Sequence, residues 1–214
     1  MSRWMRKRGQ VAGTNPKSAA AETYRRLRTG IELAGRASDS ELKTIAIASA
    51  VTGEGKSTAS ANLAIAYAQA NRSVLLLDAD LRSPVQHRIF ELPNEAGLSS
   101  LLAGGCEFKQ AICPTEFAGL EVLCAGPIPA SPTELLDSEA MASLLETVKE
   151  RYDIVIVDTP AMAAGADALI VADQCDGAVL VIRRGKTKLV EAENAKDSLA
   201  SGRAKLVGAV FNAI

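Results

Sequence analysis

The amino-acid sequence predicts an α/β fold in three layers, with one parallel β-sheet and helices on both of its faces. Six short segments rich in Val, Ile and Leu are typical of strands buried on both sides, and they are residues 44–50, 74–78, 120–124, 153–158, 178–183 and 206–211. Helical spacing of apolar residues lies between several of these segments, at residues 56–70, 138–152 and 189–200. Repeated strand, helix and strand units with right-handed crossovers produce a parallel sheet.

Length and composition exclude several classes of protein. A chain of 214 residues can bury roughly 70% of the surface that it exposes when unfolded, so it needs no disulfide or structural metal, and its four cysteines form no C-x-x-C pair. A net charge of -1 excludes a protein whose main task is to coat nucleic acid. No apolar run approaches the roughly 18 residues of a membrane span. We therefore expect a cytoplasmic protein, with any membrane role coming through a partner.

The first 18 residues predict a flexible basic arm, and residues 19–214 predict one domain. Glycines and a proline interrupt any helical run in the arm, which has no acidic residue and carries Arg3, Arg6, Lys7, Arg8 and Lys17. Such an arm is either a solvated tail or a contact for anionic lipid or for an acidic partner segment. Both interpretations stay open at the level of sequence.

Residues 50–58 have the sequence of a phosphate-binding loop, Ala-Val-Thr-Gly-Glu-Gly-Lys-Ser-Thr, between the first predicted strand and the first long helix. Glycines let backbone N–H groups converge on a phosphate, and the helix N-terminus adds unpaired donors. Lys56 is expected to reach the β- and γ-phosphates, and the Ser57 hydroxyl to bind Mg2+. Ala50 stands where the strict pattern has glycine, so the loop alone leaves a simple tight turn open as the alternative. The predicted nucleotide-binding residues here are Gly53, Glu54, Gly55, Lys56, Ser57 and Thr58.

Three carboxylates follow predicted strands. Asp78 and Asp80 come at the end of the second strand, and Asp158 comes at the end of a later one. Because the carboxyl ends of parallel strands meet at one edge of a sheet, we expect all three beside the phosphate loop. A carboxylate there can hold Mg2+, directly or through water, or accept a proton from an attacking hydroxyl. A single Asp would be explained as a helix cap or a turn residue, whereas three favour a nucleotide site.

Absent motifs indicate ATP as the nucleotide. The guanine-reading Asn-Lys-x-Asp sequence is missing, and its nearest approach, at residues 194–197, lies inside a predicted helix. Asp158 is followed by Thr-Pro-Ala and not by the Asp-x-x-Gly continuation of GTPases. A dinucleotide fingerprint fails too, because no third glycine follows Gly53 and Gly55 at the required spacing.

Five motifs in order resemble those of the bacterial P-loop tyrosine kinases of capsule and exopolysaccharide synthesis, which are similar in outline to the MinD and ParA ATPases. Residues 53–58 resemble the Walker A loop, residues 77–82 the Walker A′ motif and residues 157–160 the Walker B motif, and the other two matches are residues 97–104 and 126–136. The partitioning relatives carry a signature lysine near the start of the loop. Residues 50–52 contain no lysine, which favours the kinase branch.

The resemblance implies ATP and Mg2+ as cofactors and assigns roles to the predicted site. Lys56 would stabilise the γ-phosphate, and Asp78 would orient and deprotonate the acceptor tyrosine. Ser57 and Asp158 would hold Mg2+, and Asp80 would support metal-bound water. Asn212, after the last predicted strand, matches the position that recognises adenine.

A predicted amphipathic helix at residues 19–34 carries a further resemblance. Glu22, Arg25 and Arg28 fit the Glu-x-x-Arg-x-x-Arg motif with which the family builds a ring of protomers. The alternative is local pairing of Glu22 with Arg25 and of Arg28 with Glu32. The resemblance favours the ring, and it implies a membrane adaptor whose cytoplasmic segment activates the kinase.

The implied activity is that of an ATP-dependent protein-tyrosine kinase of the autokinase type that regulates polysaccharide polymerisation and export. Family members usually end in a tail of clustered tyrosines, whereas this sequence has no tyrosine after Tyr152. We therefore expect that a tail has been removed, that another protein tyrosine is the substrate, or that the chain is a nucleotide-dependent assembly partner. A MinD- or ParA-like switch ATPase and a non-catalytic scaffold remain the alternatives.

Overall fold

The computed structural model describes residues 10–37 and 41–213, and within them seven strands form one sheet in the order β3-β4-β2-β5-β1-β6-β7. The strands are β1 (Thr44–Ser49), β2 (Val74–Asp78), β3 (Ile112–Pro114), β4 (Leu120–Leu123), β5 (Ile154–Asp158), β6 (Gly177–Arg183) and β7 (Lys205–Asn212). The six predicted strands are confirmed, and they pair in parallel.

The edge strand β3 corrects the prediction of an entirely parallel sheet. It runs antiparallel to β4, with Ile112 opposite Leu123 and Pro114 opposite Glu121. Three residues that end in proline are too short to show a strand period in sequence, and proline is tolerated here because an edge strand leaves one side unpaired. The architecture is therefore three layers around a mostly parallel sheet.

Alternate residues of the strands face two separate cores, as expected for a sheet covered on both sides. In β1, Ile45 and Ile47 pack in one core, and Ala46 and Ala48 pack in the other. On the first face lie α1 (Val11–Thr14), α2 (Ala19–Ala37), α3 (Lys56–Ala68) and α4 (Gln86–Phe90). On the second lie α5 (Leu98–Leu102), α6 (Phe108–Ala111), α7 (Pro132–Leu136), α8 (Glu139–Arg151), α9 (Asp167–Asp173) and α10 (Leu189–Ala200). A short 3-10 helix, Met162–Ala164, follows β5.

Helix α3 is buried along almost its whole length, because the sheet covers one side and α2 covers another. Its alanine-rich sequence suits this position, since small side chains let the neighbouring elements approach closely. Helix α2 places Ile31 in the same core and extends to Ala37, three residues beyond the predicted end. No helix in the described ranges has both the length and the apolar character needed to cross a bilayer.

Residues 10–18 correct the prediction that residues 1–18 form a flexible arm. Ala12 is 1% exposed, and its amide N donates to Asn62 Oδ1 at 2.8 Å, while Gln69 Nε2 donates to the Ala12 carbonyl at 2.9 Å. The side chain of Gln10 donates to the carbonyl of Ile89 at 3.1 Å. The segment is therefore docked on the first face of the sheet, which its composition did not reveal. The part of the predicted arm at residues 1–9 lies outside the described residues.

One carboxylate fastens the start of β1 to the second face. Asp176 Oδ2 accepts hydrogen bonds from Lys43 N at 3.0 Å and Thr44 N at 2.8 Å, and its Oδ1 lies 3.1 Å from Lys149 Nζ. Burial alone would raise the pKa of Asp176, but the hydrogen bonds from Thr44 and the Lys149 ion pair outweigh it and lower the pKa. The ionised form therefore stabilises the folded chain.

We expect Asp176→Ala to lower the free energy of unfolding by about 1–3 kcal/mol at pH 7, because two backbone donors lose their acceptor. The folded pKa is the lower one, so the stabilisation is present above the unfolded pKa of about 3.9 and is lost as the pH falls through the folded value. Urea unfolding between pH 7 and pH 3 measures this, with Asp197→Ala on the surface of α10 as the control. A difference from the unsubstituted protein that stays constant down to pH 3 would contradict this role.

Candidate functional site

The loop between β1 and α3 has the backbone of a phosphate cradle. Gly53 and Gly55 have φ angles of 83° and 91°, in the left-handed region that favours glycine. A β-carbon at Gly55 would overlap the side-chain amide of Asn212, so a larger residue there would also displace that side chain. Because Gly55 immediately precedes α3, the loop leads into a helix N-terminus whose unpaired N–H groups favour an anion.

A pocket of about 300 Å3 lies over this loop at the carboxyl edge of the sheet. Its lining comprises loop residues, residues that follow β2 and residues that follow β5, which include Gly55, Lys56, Ser57, Thr58, Asp80, Arg82, Pro160 and Ala161. The predicted convergence of the phosphate loop with the ends of two strands is therefore present. Within the described residues, two larger grooves elsewhere lack this set of phosphate-binding and carboxylate groups.

Lys56 is the buried cation of the site, with only 7% of its surface exposed. Its Nζ lies 3.1 Å from Asp158 Oδ1 and 3.6 Å from Asp80 Oδ2, and it donates to Ser57 Oγ at 3.2 Å. Burial alone would lower the pKa of Lys56, but the charges of Asp158 and Asp80 outweigh it and raise the pKa. The ammonium group is therefore held in its charged form at the floor of the pocket.

Asp158, at the end of β5, is fully buried, and both of its oxygens are engaged. Its Oδ1 accepts from Ser60 Oγ at 3.1 Å as well as from Lys56, and its Oδ2 accepts from Gln86 Nε2 at 2.8 Å. Register places Asp158 directly opposite Asp78 of β2, so the two carboxyl groups are neighbours. The sheet itself thus sets their separation.

The Asp78 carboxyl is fully buried and is held by backbone donors. Its Oδ2 accepts from Gln86 N at 3.0 Å and from Val85 N at 3.3 Å, and its Oδ1 accepts from Asp80 N at 3.2 Å. Burial, and then the charge of Asp158, raise the pKa of Asp78 well above its usual range. Burial also raises the pKa of Asp80, against the opposing effect of Lys56. These shifts are typical of functional clefts, where carboxyl groups lie close to one another.

Gln86 is a site residue that the sequence analysis missed. Its side-chain amide joins Asp158 to the carbonyl of Ser57, which accepts from Nε2 at 3.0 Å, and its backbone N holds Asp78. Its side-chain Oε1 is buried without a hydrogen-bond partner. No sequence signal marked it, because it lies eight residues beyond Asp78 in a polar segment and belongs to none of the strand ends.

Arg82 was also missed, apart from its place in the motif at residues 77–82. Its Nε lies 2.6 Å from Asp167 Oδ2, and one of its terminal nitrogens donates to Thr133 Oγ1 at 3.0 Å. Thr133 Oγ1 in turn donates to Asp167 Oδ1 at 2.6 Å. This network joins the segment after β2 to α7 and α9 at the rim of the pocket.

Glu54 and Asn212, two of the predicted nucleotide-binding residues, contact the loop itself. The buried Glu54 carboxylate accepts from Val51 N at 2.8 Å and from the hydroxyl of Thr187. Its carboxylate therefore shapes the loop from within. Asn212 Nδ2 donates to the Glu54 carbonyl at 2.8 Å, which places Asn212 beside the cradle. An adenine contact by Asn212 stays a prediction.

Glu22, Arg25 and Arg28 lie on α2, away from the pocket. Arg25 Nε donates to Glu22 Oε2 at 2.9 Å, and Arg28 Nε lies 3.8 Å from Glu32 Oε1. Arg28 also donates to the carbonyl of Ala66 at 2.7 Å. The contacts of the local-pairing alternative are thus present, and the ring stays a prediction.

The three tyrosines are packed within the fold. Tyr67 and Tyr152 are 3% and 8% exposed, and the Tyr152 hydroxyl donates to Glu121. Burial raises the pKa of Tyr24 to about 12 and raises the pKa values of the other two. Tyr67 and Tyr152 are therefore structural residues in this conformation, and Tyr24 is partly buried against the first core.

The donor set fits Mg2+ only together with phosphate. In the part of the chain that the structure describes, no three His, Cys, Asp or Glu side chains converge as a self-sufficient metal site. Mg2+ ordinarily takes one or two protein oxygens and completes its shell with phosphate and water. Ser57, Asp80 and Asp158 provide such oxygens next to the cradle, so the residues present are compatible with that cation.

A parallel sheet that brings a glycine-rich loop, a buried lysine and strand-end carboxylates to one edge defines a P-loop NTPase fold. A family model described as an AAA domain matches residues 42–181. The chain is 46% identical over 205 residues to the tyrosine-protein kinase YwqD of Bacillus subtilis, covering 96% of this chain and 86% of that protein. It is 38% identical to the putative tyrosine-protein kinase CapB of Staphylococcus aureus, covering 92% of this chain and 86% of that protein. The chain therefore belongs to the bacterial tyrosine-protein kinases.

Solved structures show the same likeness. The kinase domain of the Escherichia coli tyrosine kinase ETK superposes with a TM-score of 0.90 at 35% identity, covering 100% of this chain and 88% of that one. The chimerical protein CapA2B2 superposes with a TM-score of 0.91 at 39% identity, covering 96% of this chain and 90% of that one. The septum site-determining protein MinD of Pyrococcus horikoshii, complexed with Mg-ADP, superposes with a TM-score of 0.70 at 24% identity, covering 79% of this chain and 70% of that one. This likeness shows the shared fold. The predicted kinase family and its MinD-like fold are confirmed.

We expect Gln86→Ala to lower the free energy of unfolding by about 1–3 kcal/mol, because the buried Asp158 loses a donor. Urea unfolding of the nucleotide-free protein measures this. Arg88→Ala, an exposed position in the same short helix, is the matched control and should change stability by less than about 0.5 kcal/mol. Equal stabilities of the two variants would show that Gln86 does not support the carboxylates.

Proposed function

We propose that this protein transfers the terminal phosphoryl group of Mg-ATP to a tyrosine hydroxyl of a protein substrate. The observation that carries the proposal is the placement of Lys56 against Asp158 and Asp80, directly beside the glycine cradle. A cation and oxygen ligands at that point suit phosphoryl transfer, in which positioning and charge stabilisation supply most of the catalysis.

When bound, Mg-ATP supplies the phosphoryl group, and its metal ion supplies positive charge that neutralises the negative charge developing in the transition state. Loop amides and Lys56 bind the phosphates, and Ser57, Asp80 and Asp158 supply oxygen ligands to the cation. Lys56 would supply the positive charge for the β- and γ-phosphates, and its contacts with Asp158 and Asp80 keep it charged beside the loop. Asn212 is proposed to contact the adenine ring.

Asp78 is proposed to orient the acceptor tyrosine and accept its proton. Burial and the neighbouring Asp158 raise the pKa of Asp78, which makes its carboxylate a stronger base than an exposed aspartate. The three tyrosines of this sequence are packed within the fold, so the acceptor is proposed to come from another protein segment that reaches the pocket.

Incubation with ATP, Mg2+ and a tyrosine-bearing peptide should yield phosphotyrosine, and both Lys56→Met and Asp78→Asn should lower its rate of formation by about a hundredfold or more. Asp78→Asn should retain ADP binding, because Asp78 acts on the acceptor. Lys196→Met and Asp197→Asn on the surface of α10 make the same changes of charge and serve as controls. Both should form phosphotyrosine at the rate of the unsubstituted protein.

Phosphotyrosine formed at an undiminished rate by Lys56→Met would refute the assignment. Release of inorganic phosphate without phosphotyrosine on any supplied protein would instead support the switch ATPase. Binding of ATP without turnover would support the nucleotide-dependent scaffold.

The cellular role is proposed from the resemblance of the five motifs. In that role the kinase regulates polysaccharide polymerisation and export, assembles into a ring and is located at the inner membrane through an adaptor. What supports the ring is the position of Glu22, Arg25 and Arg28 on α2, where the side chains of Arg25 and Glu22 are 35% and 47% exposed.

Replacing Arg25 and Arg28 by Ala should lower the oligomer mass measured by light scattering in the presence of the adaptor's cytoplasmic segment. Arg26→Ala is the matched control, because Arg26 lies on the same helix with 81% of its side chain exposed and is outside the motif. An unchanged mass would assign the three motif residues to local pairing alone.

A further inference from the structure

The last residue of β6 and the turn that follows it, residues 183–187, lie against the outer side of the phosphate loop, and we call this segment the clamp turn. We propose that Arg183 and Lys186 of the clamp turn are positioning residues that hold the loop in its phosphate-binding conformation. They are about 130 positions from the loop in sequence and belong to none of the motifs.

Three consecutive carbonyl groups of the phosphate loop are each paired from outside. Lys186 Nζ donates to the Thr52 carbonyl at 2.7 Å, and a terminal nitrogen of Arg183 donates to the Gly53 carbonyl at 3.0 Å. The Glu54 carbonyl accepts from Asn212 at 2.8 Å. The clamp turn and the end of β7 thus hold three successive peptide units of the loop.

Peptide geometry turns these contacts into a constraint on the opposite face. In a planar trans peptide the N–H points away from the carbonyl oxygen of the same unit. Holding the carbonyls of Thr52 and Gly53 outward therefore directs the N–H groups of Gly53 and Glu54 away from the clamp turn. A cationic donor on each oxygen also polarises the peptide and strengthens its N–H as a donor to phosphate.

The buried Glu54 carboxylate keeps the clamp turn in register with the loop. It accepts from the hydroxyl of Thr187 and from Arg183 N at 3.4 Å, and Arg183 N also donates to Thr187 Oγ1 at 3.0 Å. Gly185 has a φ of 75°, which lets the turn reverse tightly enough for Arg183 and Lys186 to reach adjacent carbonyls. The geometry therefore depends on five residues acting together.

The inference rests on the nucleotide binding in the proposed function and is independent of tyrosine transfer. The test measures binding of Mg-ADP and of inorganic pyrophosphate by isothermal titration calorimetry. The variants are Arg183→Gln with Lys186→Gln in one chain, and Lys186→Arg alone. Arg184→Gln is the control, because Arg184 is exposed in the same turn and its replacement removes one of the two positive charges that the double variant loses.

We expect the double variant to bind both probes roughly tenfold to fiftyfold more weakly, because two charge-assisted hydrogen bonds to the loop are lost. Lys186→Arg and Arg184→Gln should stay within about twofold of the unsubstituted protein. Thermal unfolding without ligand should change little in the double variant, which separates positioning from loss of the fold.

If the double variant bound both probes as tightly as Arg184→Gln does, the clamp would be overturned. A lower affinity for Mg-ADP with an unchanged affinity for pyrophosphate would also overturn it, because the lost contact would then lie at the nucleoside and not at the phosphates. An unsubstituted protein that binds neither probe would contradict the proposed nucleotide site and the clamp with it. Binding by the unsubstituted protein with unchanged variants would overturn the clamp alone.

Discussion

The buried ion pair between Lys56 and Asp158 is the contact on which the rest of the site depends. Removing an ammonium and a carboxylate from water is costly, so both ions need further partners. Asp80 and Ser57 surround the lysine, and Gln86 engages the aspartate. Buried ion pairs can often be replaced by apolar side chains without loss of stability, which favours a functional reason for the charges here.

That ion pair is possible only because the sheet is parallel at its centre. Strands β2 and β5 are neighbours, with Asp78 opposite Asp158, and β1 delivers the loop on the other side of β5. Both strands are buried on two faces, so a one-residue shift of register would move every side chain from one core into the other and disrupt the packing of both. The packing of the two cores therefore also sets the distances among the carboxyl groups.

The surrounding segments support the motifs through contacts that no motif contains. Asn62 donates to the Thr58 carbonyl at 2.8 Å while accepting from Ala12 N, so the docked residues 10–18 are joined to the start of α3. Gln86 supports the aspartates in the same way, and the clamp turn supports the loop. Such outer contacts hold functional groups in place, because a site is only as well defined as the side chains that support it.

Local patterns in the sequence were sufficient for the six parallel strands, the phosphate loop and its carboxylates, because period, glycine placement and strand-end position are readable within a few residues. The sequence also carried the family resemblance, which the relatives confirmed. Tertiary structure alone decided the antiparallel β3, the docking of residues 10–18 and the parts played by Gln86, Arg82 and the clamp turn. Each of these depends on contacts between segments that are distant in the chain, and side chains that meet only after folding leave no periodic signal.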